Sequence, residues 1–282
     1  MSKWLIELAG VKITVNVKTD AAEDLVLTAL SALRPKKINT AQGIRLVVNQ
    51  QEKLWLLNDR SKDIERKIKK TGDLVYHLTD RIVFHIADKA ENNHCLHAAA
   101  VANNEHALII PANSGAGKSS FTTWLVANGF SYLTDELILI DEQRSVRGVG
   151  RPIQIKSHGI EAVNSLFLKP DLVFPGNFAN AVTIDALGGK VSERESHQLA
   201  MMVFPKYRKG ADYELNRLSS AEAGMSLMGN HVNARNLEGH GFRDMMAIIR
   251  ETPCFSLEYG GFDKLPNDFD QQLKDMLASE SL

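Results

Sequence analysis

The stretch Ala112-Asn-Ser-Gly-Ala-Gly-Lys-Ser119 decides the fold, because it ends in the Gly-Lys-Ser of a phosphate-binding loop. It lacks only the first glycine of that pattern, which Ala112 replaces. A short apolar run at residues 107–110 precedes it and suits a buried strand, and residues 121–127 continue beyond it as a helix. This order of strand, loop and helix predicts a site for a nucleoside triphosphate.

Each residue type in the loop has a chemical reason to be there. Gly115 and Gly117 let the backbone adopt left-handed angles and turn its N–H groups toward one point. The helix dipole adds positive potential, Lys118 reaches the β- and γ-phosphates, and Ser119 is a ligand for Mg²⁺. If the position of Ala112 needs a positive φ, alanine is strained there by about 1 kcal/mol.

The expected cofactors are therefore ATP and Mg²⁺. The residues expected to bind the nucleotide are Asn113, Ser114, Gly115, Ala116, Gly117, Lys118, Ser119 and Ser120. Two other interpretations stay open: a glycine-rich turn without a ligand, and a loop that binds nucleotide without catalysis.

Composition places the chain among ordinary globular proteins, with 282 residues, 44% hydrophobic and 24% charged. The net charge of −1 and the lack of a long basic run favour neither a nucleic-acid partner nor a membrane partner. Cys95 and Cys254 lie in apolar stretches, typical of buried reduced thiols. The first ten residues are too short for a signal peptide and no apolar run reaches 18 residues, so we expect a cytoplasmic location.

The pattern predicts two domains, with a boundary near residue 90. Residues 1–90 form a small α+β domain, with a hairpin at 4–17 around Ala9-Gly10, a helix at 22–33 and a second hairpin at 44–48 and 54–57. Helices at 63–70 and 74–88, split at Gly72, complete it.

Residues 91–282 are expected to form the domain that carries the loop. Strands at 95–102 and 107–110 flank a turn at Asn103-Asn104, and Gly129 caps the loop helix. Asp135 and Glu136 fall between the apolar runs 132–133 and 137–140, and residues 148–189 are loop-rich enough to hold an acceptor. Helices at 220–228, 242–249 and 268–277 and a strand at 254–259 follow.

Phosphoryl transfer needs a divalent ion and a group that takes the acceptor's proton, as well as the phosphate clamp. Asp135 and Glu136 follow the loop helix closely enough to supply both, unless they are simply solvated residues at a strand end. His97 lies in a small apolar strand, where it is either structural or placed to hold and tune Asp135.

Arg151 and Arg235 are candidates for bracing phosphate oxygens, with a surface salt bridge as the alternative for each. The histidines show no metal-ligand spacing and neither cysteine belongs to a Cys-x-x-Cys, so the sequence does not indicate a zinc site.

Taken together, Leu96-His-Ala-Ala-Ala-Val101, residues 112–119 and Tyr132-Leu-Thr-Asp-Glu-Leu137 resemble the HPr kinase/phosphorylase superfamily, and most closely its HPr-kinase-related (kinase B) proteins. The likeness covers residues 95–141, with an echo in Phe204-Pro-Lys-Tyr207 and Ala234-Arg-Asn-Leu237. It implies an α/β fold with a P-loop core shared with phosphoenolpyruvate carboxykinase, here preceded by the small N-terminal domain.

The resemblance also implies roles. His97 matches the family's histidine ahead of the loop, Lys118 its phosphate lysine and Ser119 its Mg²⁺ ligand. Asp135 matches the aspartate that acts as general base toward a serine hydroxyl. Glu136 stands where the family usually has a second aspartate and keeps a metal-capable carboxylate, and Arg235 is a candidate active-site arginine. Related enzymes are homo-oligomers, which makes an oligomer plausible here.

The leading hypothesis is an ATP-dependent kinase whose acceptor is a hydroxyl on a protein serine or on a small molecule. A second hypothesis is a nucleotide-responsive binding protein with an idle catalytic site, which Ala112 and Glu136 favour. A third, carboxykinase-like chemistry, needs a carboxylate-binding set of arginines that the sequence does not reveal.

Overall fold

The computed structural model describes residues 1–279 as a mixed α/β protein with several sheets. The second predicted domain extends to residue 282, and its last three residues, 280–282, lie outside the described part. Among residues 1–279, no helix combines the length and apolar character that crossing a bilayer requires.

Residues 1–89 contain six strands and two helices. In chain order they are β1 (Ser2–Leu8), β2 (Val11–Val17), α1 (Asp20–Leu30), β3 (Lys36–Lys37), β4 (Ile44–Gln51), β5 (Leu54–Asp59), β6 (Ile64–Ile68) and α2 (Thr71–Lys89). The strands form one sheet in the order β3-β1-β2-β4-β5-β6, in which β2 and β4 pair in parallel. Ala9 and Gly10 both have positive φ, as a two-residue hairpin turn requires, so the predicted first hairpin is confirmed.

The remaining strands and α-helices follow from residue 94. They are β7 (His94–Asn103), β8 (His106–Pro111), α3 (Lys118–Ala127), β9 (Ser131–Thr134), β10 (Leu137–Ile140), β11 (Ser145–Gly148), β12 (Ile153–Ile155), α4 (Ser157–Ile160), β13 (Val173–Phe174), β14 (Asn180–Val182), β15 (Lys190–Val191), β16 (His197–Tyr207), β17 (Glu214–Arg217), α5 (Ser220–Met228), α6 (Phe242–Arg250), β18 (Cys254–Tyr259) and α7 (Phe269–Ser279).

The large sheet is organised around β7, which pairs with β8 on one edge and with β9 and β10 on the other. Strand β16 pairs in parallel with both β8 and β18 and also contacts β11. Since β10 pairs with β11, the pairings β7-β10-β11-β16-β8 close into a circuit. The circuit brings the end of β8 and the connection between β9 and β10 to the same region.

Helix α3 follows the loop and packs into the core on one face of the large sheet, with Val101 of β7 and Ile110 of β8. Its residues Phe121 and Leu125 are fully buried with Tyr132 and Tyr259. A small sheet, β12-β14-β13, lies beside it and contributes Ile153 to the same core.

Two assignments in the first ninety residues differ from the sequence prediction. The predicted helix at 63–70 is wrong: Ile64–Ile68 is an edge strand paired with β5. Gly72 lies inside the first turn of α2 rather than splitting two helices, and its amide donates to the carbonyl of Pro175. The predicted boundary at residue 90 falls between α2 and β7 and stays a prediction, since Cys95 packs in the same core as α2.

Candidate functional site

The phosphate loop leaves the buried end of β8 and turns at two glycines. Gly115 and Gly117 both have φ of 91°, the left-handed region that glycine adopts without strain. Ala112 is buried and is not among the positive-φ residues of the described chain. The strain anticipated for Ala112 therefore does not arise, and the missing first glycine does not prevent this loop conformation.

The start of α3 presents a group of unpaired backbone amides. The first amide of α3 that donates a helical hydrogen bond is that of Phe121, which donates to the carbonyl of Gly117 at 2.8 Å. Within residues 1–279 the amides of residues 117–120 donate no hydrogen bond, as expected for the first turn of a helix. Together with the helix dipole, these donors form an anion site.

Neighbouring strands hold the loop in place. The amide of Tyr207 on β16 donates to the carbonyl of Ala116 at 3.1 Å. A Cβ placed on Gly117 would come within 2.7 Å of the hydroxyl oxygen of Tyr259 on β18. Glycine is therefore required at 117 both by its φ and by the close packing of Tyr259.

Lys118 is buried, 8% exposed, and its Nζ donates to the backbone carbonyl of Asp135 at 2.7 Å. Burial lowers the pKa of Lys118, and the negative charges of Asp135 and Glu136 oppose that shift. The lysine that is predicted to hold phosphate thus also ties the loop to the acidic pair.

Asp135 is almost fully buried, and both carboxylate oxygens are engaged. Oδ1 accepts from Nε of Arg151 at 2.9 Å, and Oδ2 accepts from the amide of Gln154 at 2.9 Å. The hydroxyl of Tyr132 lies 3.4 Å from Oδ1 and donates to the carbonyl of Arg151 at 2.6 Å. Because Asp135 is only 1% exposed, an acceptor hydroxyl can reach its carboxylate only if one of these neighbouring groups moves.

Glu136 is the more accessible carboxylate, with 29% of its side chain exposed. Its Oε2 accepts from Nη2 of Arg151 at 2.6 Å and lies 3.6 Å from Nε2 of His97. His97 thus contacts Glu136 rather than Asp135, which it was predicted to hold. Burial lowers the pKa of His97 and the charge of Lys118 lowers it further, while the charge of Glu136 opposes the shift.

Ser119 and Glu136, the residues predicted to hold Mg²⁺, each keep an oxygen that is not engaged in a hydrogen bond within the described residues. Within the described residues the Ser119 hydroxyl and Oε1 of Glu136 have no hydrogen-bond partner, while no group of three or more His, Cys, Asp or Glu side chains there forms a complete metal cage. Mg²⁺ commonly takes one or two protein ligands and completes its shell with phosphate oxygens and water.

Of the other predicted site residues, Ser114 and Ser120 lie at the loop and Arg235 does not. Ser114 accepts a hydrogen bond from Nζ of Lys156 at 2.7 Å, which adds a cation beside the loop. Ser120 lies next to α4, with its hydroxyl 3.5 Å from where a Cβ of Gly159 would stand. Arg235 is placed elsewhere: it is exposed and pairs with Asp88 at the end of α2.

Comparisons with known proteins add little to this geometry. No protein-family model and no curated protein matches the chain. Among solved structures, the HPr(Ser) kinase/phosphatase from Coxiella burnetii matches over 66% of this chain and 95% of that chain, with 9% sequence identity and a TM-score of 0.29. A likeness at that TM-score carries no argument about activity, which has to be argued from the site itself.

Sequence reasoning missed three contributors to the site. The Tyr132 hydroxyl and the backbone amide of Gln154 donate hydrogen bonds to the Asp135 carboxylate. Neither a buried tyrosine nor a backbone amide belongs to a recognisable sequence motif. Lys156 lies in a segment recognised only as loop-rich. For Arg151 the sequence left open a brace for phosphate oxygens or a surface salt bridge; it forms a salt bridge with both carboxylates that is buried, with the arginine 5% exposed.

Proposed function

We propose that this chain is an ATP-dependent, Mg²⁺-assisted kinase that transfers the γ-phosphoryl group to a hydroxyl, on a protein serine or a small molecule. The observation that carries the proposal is the link between the two halves of the site. The unpaired amides of residues 117–120 form an anion site, and Lys118 from the same turn bonds directly to the backbone of the acidic pair. Phosphoryl transfer needs this combination of positioned donors and nearby carboxylates.

In this proposal the loop amides and Lys118 bind the phosphates, with Lys156 adding positive charge through Ser114. Ser119 and Glu136 hold Mg²⁺, which when bound neutralises phosphate charge. Asp135 accepts the proton of the attacking hydroxyl, and His97 orients Glu136 from the neighbouring strand.

Asp135 can play that part only after Arg151 shifts. A bound triphosphate offers Arg151 a stronger anionic partner than two carboxylates it already shares with other donors. Nη1 of Arg151 has no partner within the described residues, so the guanidinium can begin that exchange without first breaking a bond. Catalytic contacts are often formed only in the substrate complex, so the paired geometry is compatible with this role.

The ion pairs of Arg151 with Asp135 and Glu136 also favour a second function, that of a nucleotide-binding regulator. If Arg151 stays on Asp135 and Glu136 when nucleotide binds, the base is never released and the chain is a nucleotide-binding regulator without turnover. The near-complete burial of Asp135, 1% exposed, is the observation that favours it.

Measuring ATP·Mg²⁺ affinity by calorimetry, and γ-phosphoryl transfer from labelled ATP into a fractionated lysate, separates the two functions. The kinase proposal expects labelled product that falls by at least about 100-fold in Asp135→Asn while affinity is retained, since general base catalysis contributes about 10²–10⁴-fold. Asp88→Asn, which removes a carboxylate paired with an exposed arginine, is the control and should leave transfer unchanged. Equal transfer by Asp135→Asn and wild type would refute the assigned base, and tight binding with no transfer would favour the regulator.

A further inference from the structure

An aromatic ledge, formed by Tyr76 and His77 of α2 and Phe178 of the segment before β14, has no role in the site described so far. Phe178 stacks on Tyr76 with ring centroids 5.7 Å apart and planes 16° from parallel. It also meets the edge of His77 at 5.3 Å. Yet Phe178 is 60% exposed, so one large aromatic surface faces solvent.

The ledge is held firmly by the backbone around it. Asp73, itself buried in α2, accepts hydrogen bonds from the amide of Asn177 at 2.6 Å, its side-chain Nδ2 at 2.8 Å and the amide of Phe178 at 3.3 Å. Behind it, a Cβ on Gly72 would lie 2.4 Å from the carbonyl oxygen of Phe174. These contacts fix the backbone that carries Phe178, and the stacking on Tyr76 covers one face of its ring. The other face is left available for a planar partner.

Its location follows from strand register. Asn180 pairs with Ile155, so Phe178 lies two residues, at most about 7 Å, beyond that pair on the side where Lys156 and α4 begin. Lys156 contacts the loop at Ser114, and α4 packs against Ser120.

Electrostatics place the other end of the ledge near the carboxylates. Burial raises the pKa of the Tyr76 hydroxyl, the charge of Asp80 adds to the shift, and the charges of Arg151 and Glu136 also act on it. The Tyr76 end of the ledge therefore lies within electrostatic reach of Arg151 and Glu136, while the Phe178 end lies on the side of Lys156, which contacts the loop.

We infer that the aromatic ledge is the platform for the base of the nucleotide whose phosphates the loop binds, with the exposed face of Phe178 stacking on that base. The inference rests on the proposed nucleotide site and adds base recognition to it. Stacking on an aromatic side chain accepts any base, and a purine offers the larger ring surface. It also gives α2, and hence the first ninety residues, a part in nucleotide binding.

The test compares ATP·Mg²⁺ with tripolyphosphate·Mg²⁺, which has the phosphates without base or ribose. Wild type should bind ATP more tightly. Phe178→Ala should weaken ATP binding by about 5- to 150-fold and leave tripolyphosphate binding unchanged, while Phe178→Trp should retain it. Phe242→Ala, which removes an equally exposed phenylalanine at the start of α6, should change neither affinity.

The outcomes are distinct. If Phe178→Ala leaves ATP affinity at the wild-type value, or lowers ATP and tripolyphosphate affinity by the same factor, the ledge does not hold the base although the nucleotide site stands. If wild type binds neither compound, the nucleotide site itself is refuted and the ledge loses its ligand. Thermal unfolding of each variant checks that the exposed substitution leaves the fold intact.

Discussion

The buried ion pair between Arg151 and Asp135 allows a quantitative prediction for Arg151→Met. Arg151 is 5% exposed and Asp135 1%, so removing the guanidinium leaves a carboxylate in the interior with its main cationic partner gone. Breaking a buried pair from one side costs about 3–5 kcal/mol of the free energy of unfolding. For a protein of this size that corresponds to a fall in Tm of roughly 6–20 °C.

Arg235→Met is a matched control. Its pair with Asp88 has nearly the same length, 3.1 Å against 2.9 Å, but the arginine side chain is 73% exposed. A surface pair of this kind contributes about 0.2–1 kcal/mol. Two arginine–aspartate pairs of similar length should therefore differ several-fold in their effect on unfolding, because only the Arg151 pair is buried.

Urea unfolding at pH 7, followed by circular dichroism, measures both variants. The double variant Arg151→Met/Asp135→Asn should recover part of the lost stability, because it removes the uncompensated charge as well. If Arg151→Met costs no more than Arg235→Met, the pair is not the buried clamp inferred from its contacts, and the requirement that Arg151 release Asp135 for catalysis falls with it.

Three further predictions concern the loop and the pH dependence of stability. Lys118→Met should weaken ATP·Mg²⁺ binding by about 10- to 150-fold in calorimetry, the effect of one charge-assisted hydrogen bond. Gly117→Ala should destabilise the fold more than Gly115→Ala, because both have φ of 91° but only Gly117 would clash, with Tyr259; equal unfolding midpoints would contradict this. Burial, with the charge of Arg194 adding to it, lowers the pKa of His197 to about 4, so the folded state keeps it neutral while the unfolded chain protonates below pH 6.5. The free energy of unfolding should therefore fall as the pH drops from 6.5 to 4, with His197 contributing at most about 1.4 kcal/mol per pH unit. Urea titrations across that range should show a shallower fall for His197→Asn than for the wild type.

The core of the site could be predicted because its signals are local. The strand, loop and helix of residues 106–127 and the placement of Asp135 between two short strands are confirmed. Each is encoded within a few residues, by apolar runs, glycines and one lysine. The sequence did not indicate whether Ala112 has a positive φ. The loop makes its left-handed turns at Gly115 and Gly117, so Ala112 does not need one.

What the sequence did not reveal depends on residues that meet only in the folded chain. Arg151, between β11 and β12, meets Asp135, between β9 and β10, only in the folded chain. The sequence around either residue does not indicate whether their ion pair is buried or exposed. The edge strand Ile64–Ile68 shows the same limit: its two isoleucines are spaced four apart, as on one face of a helix, and only pairing with β5 makes the segment extended. Strand β16 was not predicted either, although its partners β8 and β18 were.

The packing of Tyr207 and Tyr259 against the phosphate loop has a consequence for synthesis on the ribosome. Both residues follow the loop by a long stretch of chain, and each lies on a strand that must join the sheet before the loop is held. A nascent chain that has already exposed residues 112–119 therefore still lacks their support. If the proposed function holds, nucleotide binding should need the complete sheet, and fragments that end before residue 254 should carry the complete motif without binding ATP.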